Sequence, residues 1–210
     1  MDDVTLAAEL VREAGNLASR MLAEGLDTEY KTSISDVVSA ADHAAEELVV
    51  RRLTEFRPED GLVGEEGARR SGEGRTWYVD PVDGTYNFLS RIPYWCSAVG
   101  LADADGPLVG AVYAPALDEL WAGGRDLRTT LNGVVVDELV DRPLAEVSVA
   151  TYFHPRHMSD QSRLSSWQAA AAAAATVRML GSASVDLAGV ASGRLGVCLL
   201  YTSPSPRDRS

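Results

Sequence analysis

The stretch Trp77-Tyr78-Val79-Asp80-Pro81-Val82-Asp83-Gly84-Thr85-Tyr86-Asn87-Phe88 constrains this chain more than any other. Trp77 to Val79 reads as a short buried strand that stops at an acidic loop built on Pro81 and Gly84. Asp80 and Asp83 leave the strand end three residues apart, and Glu65, in Gly64-Glu65-Glu66-Gly67, lies just upstream. Carboxylates crowded at a strand end repel one another unless a cation sits between them. Hard oxygen ligands of this kind suit Mg²⁺ or Mn²⁺ rather than zinc. Alone, Asp-Pro-x-Asp-Gly is ordinarily just a turn. The company of Glu65, Asp42 and Thr85-x-Asn87-Phe88 tips the reading toward a metal site.

Four segments, in order, resemble one family. Asp80-Pro81-Val82-Asp83-Gly84-Thr85-x-Asn87-Phe88 is similar to the signature of the inositol monophosphatase family, Mg²⁺-dependent, lithium-sensitive phosphatases that include histidinol-phosphate and nucleotide bisphosphate phosphatases. Gly64-Glu65-Glu66 resembles that family's upstream metal-ligand motif. Ser35-Asp36-Val37-Val38-Ser39-Ala40-Ala41-Asp42 resembles the segment that supplies an aspartate near the attacking water. Leu180-Gly181-Ser182-Ala183-Ser184-Val185-Asp186-Leu187-Ala188 resembles the segment beside the substrate. The resemblance implies an α+β fold, a layered αβαβα sandwich of the inositol monophosphatase/sugar phosphatase kind with its second half incomplete. It implies Mg²⁺, with Mn²⁺ as the alternative, held by Glu65, Asp80, Asp83 and the backbone carbonyl of Val82. It further implies catalytic roles for Asp42, Glu65 and Thr85 in activating water, and substrate contacts from Asp83, Gly84, Thr85, Gly181, Ser182 and Ala183.

Local chemistry is consistent with those roles. Pro81 fixes φ and lacks an N–H, and Gly84 permits a tight turn, so Asp80, the Val82 carbonyl and Asp83 can aim at one point. Backbone N–H groups at Gly84-Thr85 can hold phosphate. Glu66 is read as supporting the site or facing solvent, Asp36 as capping a turn, and Asn87 and Phe88 as fixing and underpinning the loop. Ser182 is either a substrate contact or simply a helix start. His154 and His157 are separated by Pro155 and lack a third ligand nearby, so they read as a surface loop. Cys96, beside Trp95, reads as packed rather than nucleophilic. Arg178 is read either as meeting an anionic substrate or as pairing with surface acids.

The resemblance stops near Gly193-Arg194-Leu195. Family members continue into further strand and helix with a Trp-Asp motif, which occurs nowhere in this chain. From Cys198 the ending has no periodicity and a basic tilt, and it reads as a non-native tail. The expected organisation is therefore an N-terminal α+β part over residues 1–143 carrying the metal site, the start of a C-terminal α/β part over 144–197, and a tail over 198–210.

The 210 residues are 46% hydrophobic and 24% charged, enough to bury a real core. No apolar run is long enough to span a bilayer, and no basic-then-apolar signal opens the chain. A formal charge of −12 argues against non-specific nucleic-acid binding. Two cysteines give no disulfide framework, so a cytoplasmic setting is the simplest. The expected partner is a small phosphorylated substrate, with neither nucleic acid nor membrane; a homodimer is compatible with the sequence.

Periodicity predicts a helix over 4–24 through Leu6, Leu10, Leu17 and Met21. Lys31-Thr32-Ser33 reads as a loop. A second helix is expected to open at Ser39 and to bury Ala45, Leu48, Val49, Leu53 and Phe56. Ser97–Leu101 and Leu108–Tyr113 read as strands joined by a turn through Gly106, followed by a strand over Glu119–Ala122 and a turn at Asn132-Gly133. Further on, Val147–Thr151 and Val177–Leu180 read as strands, and the segments around Trp167 and Ser184–Ser192 as helices.

Three functions fit. The first is Mg²⁺-dependent hydrolysis of a small phosphate monoester, inositol 1-phosphate or a related polyol phosphate. The second is the same chemistry on histidinol phosphate or a 3′-phosphorylated nucleotide. The third is an inactive fragment that keeps the fold without the activity.

Overall fold

The computed structural model describes residues 1–24, 34–153 and 155–200. It divides into two compact units, Met1–Val136 and Asp137–Ser210. The fold is α+β. Lys31-Thr32-Ser33, His154 and residues 201–210 lie outside the described residues.

In the first unit, α1 (Asp3–Glu24) opens with the Asp2 carboxylate accepting from Thr5 N at 2.9 Å. This satisfies one of the backbone donors that a helix start leaves without a partner. Its buried stripe is Leu6, Leu10, Val11, Ala14 and Ala18, a period close to 3.6. Helix α2 (Ile34–Phe56) begins five residues before Ser39, so Ser39 does not open it. It buries Ala45, Val49 and Leu53, with Leu48 and Phe56 half-buried at the margin.

Both helices pack on an eight-stranded sheet of order β2-β1-β3-β4-β5-β6-β7-β8. The strands are β1 (Gly61–Gly64), β2 (Arg69–Arg70), β3 (Thr76–Asp83), β4 (Cys96–Asp103), β5 (Gly106–Ala114), β6 (Glu119–Gly124), β7 (Leu127–Leu131) and β8 (Val134–Val135). A short helix α3 (Thr85–Leu89) follows β3 directly. Strand β1 runs parallel to β3 and the other neighbours are antiparallel. Trp77, Val79, Val99 and Leu101 meet the helices in one core, whereas Tyr78 faces away. The start of β3 is anchored by Asp60, which accepts from Trp77 Nε1 at 2.8 Å and Arg75 Nη2 at 2.7 Å.

In the second unit, β9 (Ser148–Tyr152) lies between β10 (Thr176–Arg178) and β11 (Val197–Leu200), both parallel to it. Helices α4 (Gln161–Ala173) and α5 (Ala183–Ala191) connect them. Asp160 caps α4 through Ser162 N and Arg163 N. Within the segment read as a non-native tail, Cys198, Leu199 and Leu200 pair with Ala150, Thr151 and Tyr152 as a parallel strand. Val-Cys-Leu-Leu is apolar enough to serve as a sheet strand.

Candidate active site at the end of β3

The acidic segment is not a loop. Strand β3 continues through Pro81 to Asp83, and its register against β4 shifts there: Asp80 faces Ala98, but Asp83 faces Cys96. Three steps on β3 thus match two on β4, which is a β-bulge. In a regular strand, residues three apart point to opposite faces. The extra residue restores parity and lets Asp80 and Asp83 interact. Pro81 suits the bulge because it has no N–H to give the ladder. Its carbonyl instead accepts from the Ser97 hydroxyl. Val82 is buried with Ala18, Ala41, Phe88 and Trp95.

At Gly84 the chain takes φ 98°, a left-handed conformation that favours glycine, and α3 begins. Phe88 is fully buried, edge-on to Trp95 at 4.7 Å between ring centres. Asn87 Nδ2 donates to Tyr94 O at 2.7 Å. These two residues underpin the turn, as expected of them. Thr85 Oγ1 donates to Val82 O at 3.2 Å, so the proposed catalytic hydroxyl and the proposed carbonyl ligand engage each other. The carbonyl keeps a second lone pair, and the hydroxyl oxygen can still accept.

Glu65 follows β1, whose parallel pairing with β3 brings it beside Asp80; Glu65 N donates to Val79 O at 3.1 Å. Asp42 enters from α2 and is 5% exposed. Burial, reinforced by the charges of Glu66, Glu65 and Glu46, pushes its carboxyl up to about 7. Asp80 is driven well above the usual carboxylate range, first by burial, then by Asp83, then by the charge and hydrogen bond of Glu65, with Asp42 adding to it. Asp80 Oδ1 is buried without a hydrogen-bond partner. Asp83 Oδ2 also meets Cys96 Sγ at 4.0 Å, and Cys96 is fully buried, as read from the sequence.

Among the described residues, no three His, Cys, Asp or Glu side chains converge on a single ion position. The donor set nonetheless suits a hard divalent cation: Glu65, Asp80 and Asp83 offer oxygens, and Asp80 Oδ1 is a buried acceptor that nothing satisfies.

The remaining sequence candidates lie in the second unit. Gly181 adopts φ 90°, and Ser182, 1% exposed, is the N-cap of α5 but makes no side-chain capping bond. Ala183 is the first residue of that helix. Arg178 donates to Thr176 Oγ1 and Val177 O on its own strand. In the first unit, Glu66 pairs with His43 Nε2 at 3.6 Å.

Sequence reasoning missed Glu46. This carboxylate, 5% exposed on α2, accepts from Glu66 N and Ala68 N, each at 2.9 Å. Its signal was present, since Glu46 falls between Ala45 and Val49 on the apolar face of the helix.

A family model described as the inositol monophosphatase family matches residues 1–208. The chain is 32% identical over 200 residues to a fructose-1,6-bisphosphatase/inositol-1-monophosphatase of Aquifex aeolicus, covering 92% of this chain and 76% of that protein. It is 38% identical over 154 residues to a histidinol-phosphatase of Mycobacterium tuberculosis, covering 71% of this chain and 59% of that protein. Among solved structures, an inositol monophosphatase from Anabaena (Nostoc) matches with a TM-score of 0.77 and 28% identity, covering 91% of this chain and 71% of that one.

Proposed function

The chain belongs to the inositol monophosphatase family and is a phosphatase, and from that premise we propose that it hydrolyses a small polyol phosphate, inositol 1-phosphate foremost, with Mg²⁺ as cofactor. The observation that carries this reading is Asp80, a buried carboxylate with an unsatisfied oxygen, surrounded by the charges of Asp83, Glu65 and Asp42. Such a cluster is costly to bury without a compensating cation.

Glu65, Asp80, Asp83 and the Val82 carbonyl would hold the ion. When bound, Mg²⁺ would supply positive charge to the phosphate oxygens and acidify water at the site. The chain's own residues divide the remaining work. Thr85 accepts from the attacking water and orients it. Asp42, with Glu65 beside it, takes part in activating that water as it loses its proton. Backbone N–H groups after Gly84 steady the phosphate. The same reading assigns the enzyme to the cytoplasm, because two cysteines provide no disulfide framework.

Histidinol phosphate is the second reading, favoured by the similarity to the Mycobacterium tuberculosis histidinol-phosphatase. Release of inorganic phosphate from inositol 1-phosphate and histidinol phosphate, compared by kcat/KM, decides between them. A preference for the polyol ester supports the first reading; a preference for the amino-alcohol ester replaces it with the second.

A further inference from the structure

We propose that Glu46 is a positioning residue that fixes the Glu65 loop to the helix carrying Asp42, and so sets the affinity of the site for a divalent cation. The inference rests on the metal-site reading above and extends it to a residue outside the ligand set.

Glu46 lies one helical turn beyond Asp42, on the same face of α2. Its carboxylate binds the Gly64–Ala68 loop with both oxygens: Oε2 accepts from Glu66 N and Oε1 from Ala68 N, each at 2.9 Å. Two backbone donors on one carboxylate form a planar, two-point attachment that fixes orientation as well as distance. Gly64 permits that approach. A Cβ there would lie 2.1 Å from Glu46 Oε2 and 2.4 Å from its Cδ. Inside the loop, Gly64 N donates to Ala68 O at 2.7 Å, and Glu65 N is held by Val79 O. Glu65 is therefore the residue between two anchored points, Gly64 and Glu66. One buried carboxylate thereby connects the two elements that carry Asp42 and Glu65.

Replacement by glutamine keeps size and shape but leaves one acceptor. The amide NH₂ then faces a backbone N–H, donor against donor. Half of the attachment is lost, and Glu65 gains freedom that a metal ligand must give up on binding. Gly64→Ala disturbs the same contact from the loop side without changing any charge. Asp60→Asn is the control: it too disturbs a buried, multiply bonded carboxylate of this unit, but one that anchors the start of β3 through Arg75 and Trp77.

The test uses the full chain and two readouts beside phosphate release. Amide hydrogen exchange in chelator reports whether Glu66 N–H and Ala68 N–H are protected, and Mn²⁺ binding by electron paramagnetic resonance reports affinity directly. Expected are loss of protection at those two amides in Glu46→Gln, and Mn²⁺ binding weakened roughly 10–100-fold in both Glu46→Gln and Gly64→Ala. Asp60→Asn should lower the melting temperature and leave Mn²⁺ affinity unchanged. If Glu46→Gln or Gly64→Ala melts earlier but binds Mn²⁺ as the parent does, Glu46 is only structural and the proposal is overturned. It is also overturned if Asp60→Asn weakens Mn²⁺ binding equally, because general loosening then accounts for the effect. A parent that binds no Mn²⁺ at all overturns the metal-site reading itself, a result distinct from either.

Discussion

Single residues decide the chemistry proposed for this site. Asp83→Asn keeps shape and removes a charge. Turnover is expected to fall to near background while the melting temperature changes little, as followed by phosphate release and thermal denaturation. Glu65 and Thr85 should separate by role. Glu65→Gln is expected to weaken Mg²⁺ binding and turnover together, whereas Thr85→Ala should spare Mg²⁺ affinity and lower kcat, since its hydroxyl orients water. Calorimetric Mg²⁺ titration beside steady-state kinetics checks this, and equal loss of affinity in both variants would count against the role of Thr85. The crowding of Asp42, Glu65, Asp80 and Asp83 was legible because their motif is dense and ordered. Glu46 was not, because a lone glutamate in a helix ordinarily faces solvent. Only its place on the apolar face marked it as an exception.

At the scale of elements, local signals yielded to tertiary context in two places. Asp-Pro-x-Asp-Gly has the composition of a turn, yet β3 runs through it because β4 supplies a partner and the bulge absorbs the proline. Similarly, α2 starts ahead of Ser39, where local capping chemistry had suggested its beginning. Helices α1 and α2 and the hairpin through Gly106 were readable from periodicity and turn residues alone, because local pattern and burial agree there. The support beneath the turn after β3 is equally local. Phe88→Ala leaves a cavity against Trp95 and Val82 and is expected to cost about 3–5 kcal/mol in chemical denaturation. A loss below about 1 kcal/mol would mean that α3 does not depend on this packing.

At the scale of the molecule, the ending was the least legible part, because Val197–Leu200 is a short apolar run with no periodicity that becomes a strand only through pairing with β9. With β11 paired to β9, deleting residues 197–210 exposes one edge of the central strand. The shortened chain is expected to melt earlier and aggregate more than the full one; indistinguishable behaviour would deny β11 a structural role. The carboxylate cluster also makes stability depend on pH. The folded proton affinity of Asp42 is raised from 3.8 to about 7, so in chelator its contribution is complete below about pH 4 and is lost as pH rises through 7. Asp80 acts in the same direction. The chelated chain should therefore melt at a higher temperature at pH 5 than at pH 8, and Asp42→Asn should shrink that difference. A flat profile would show that the carboxylates are not electrostatically crowded.

The carboxylates at the end of β3, with Glu65, are proposed as the Mg²⁺ site of a phosphatase. Phosphate release from inositol 1-phosphate, with Mg²⁺ titrated upward from a chelator-stripped chain, tests it most directly. No release is expected at zero Mg²⁺, followed by a saturable rise with added ion that Asp83→Asn abolishes. Undiminished release in excess chelator, or a full response to Mg²⁺ in Asp83→Asn, would contradict it.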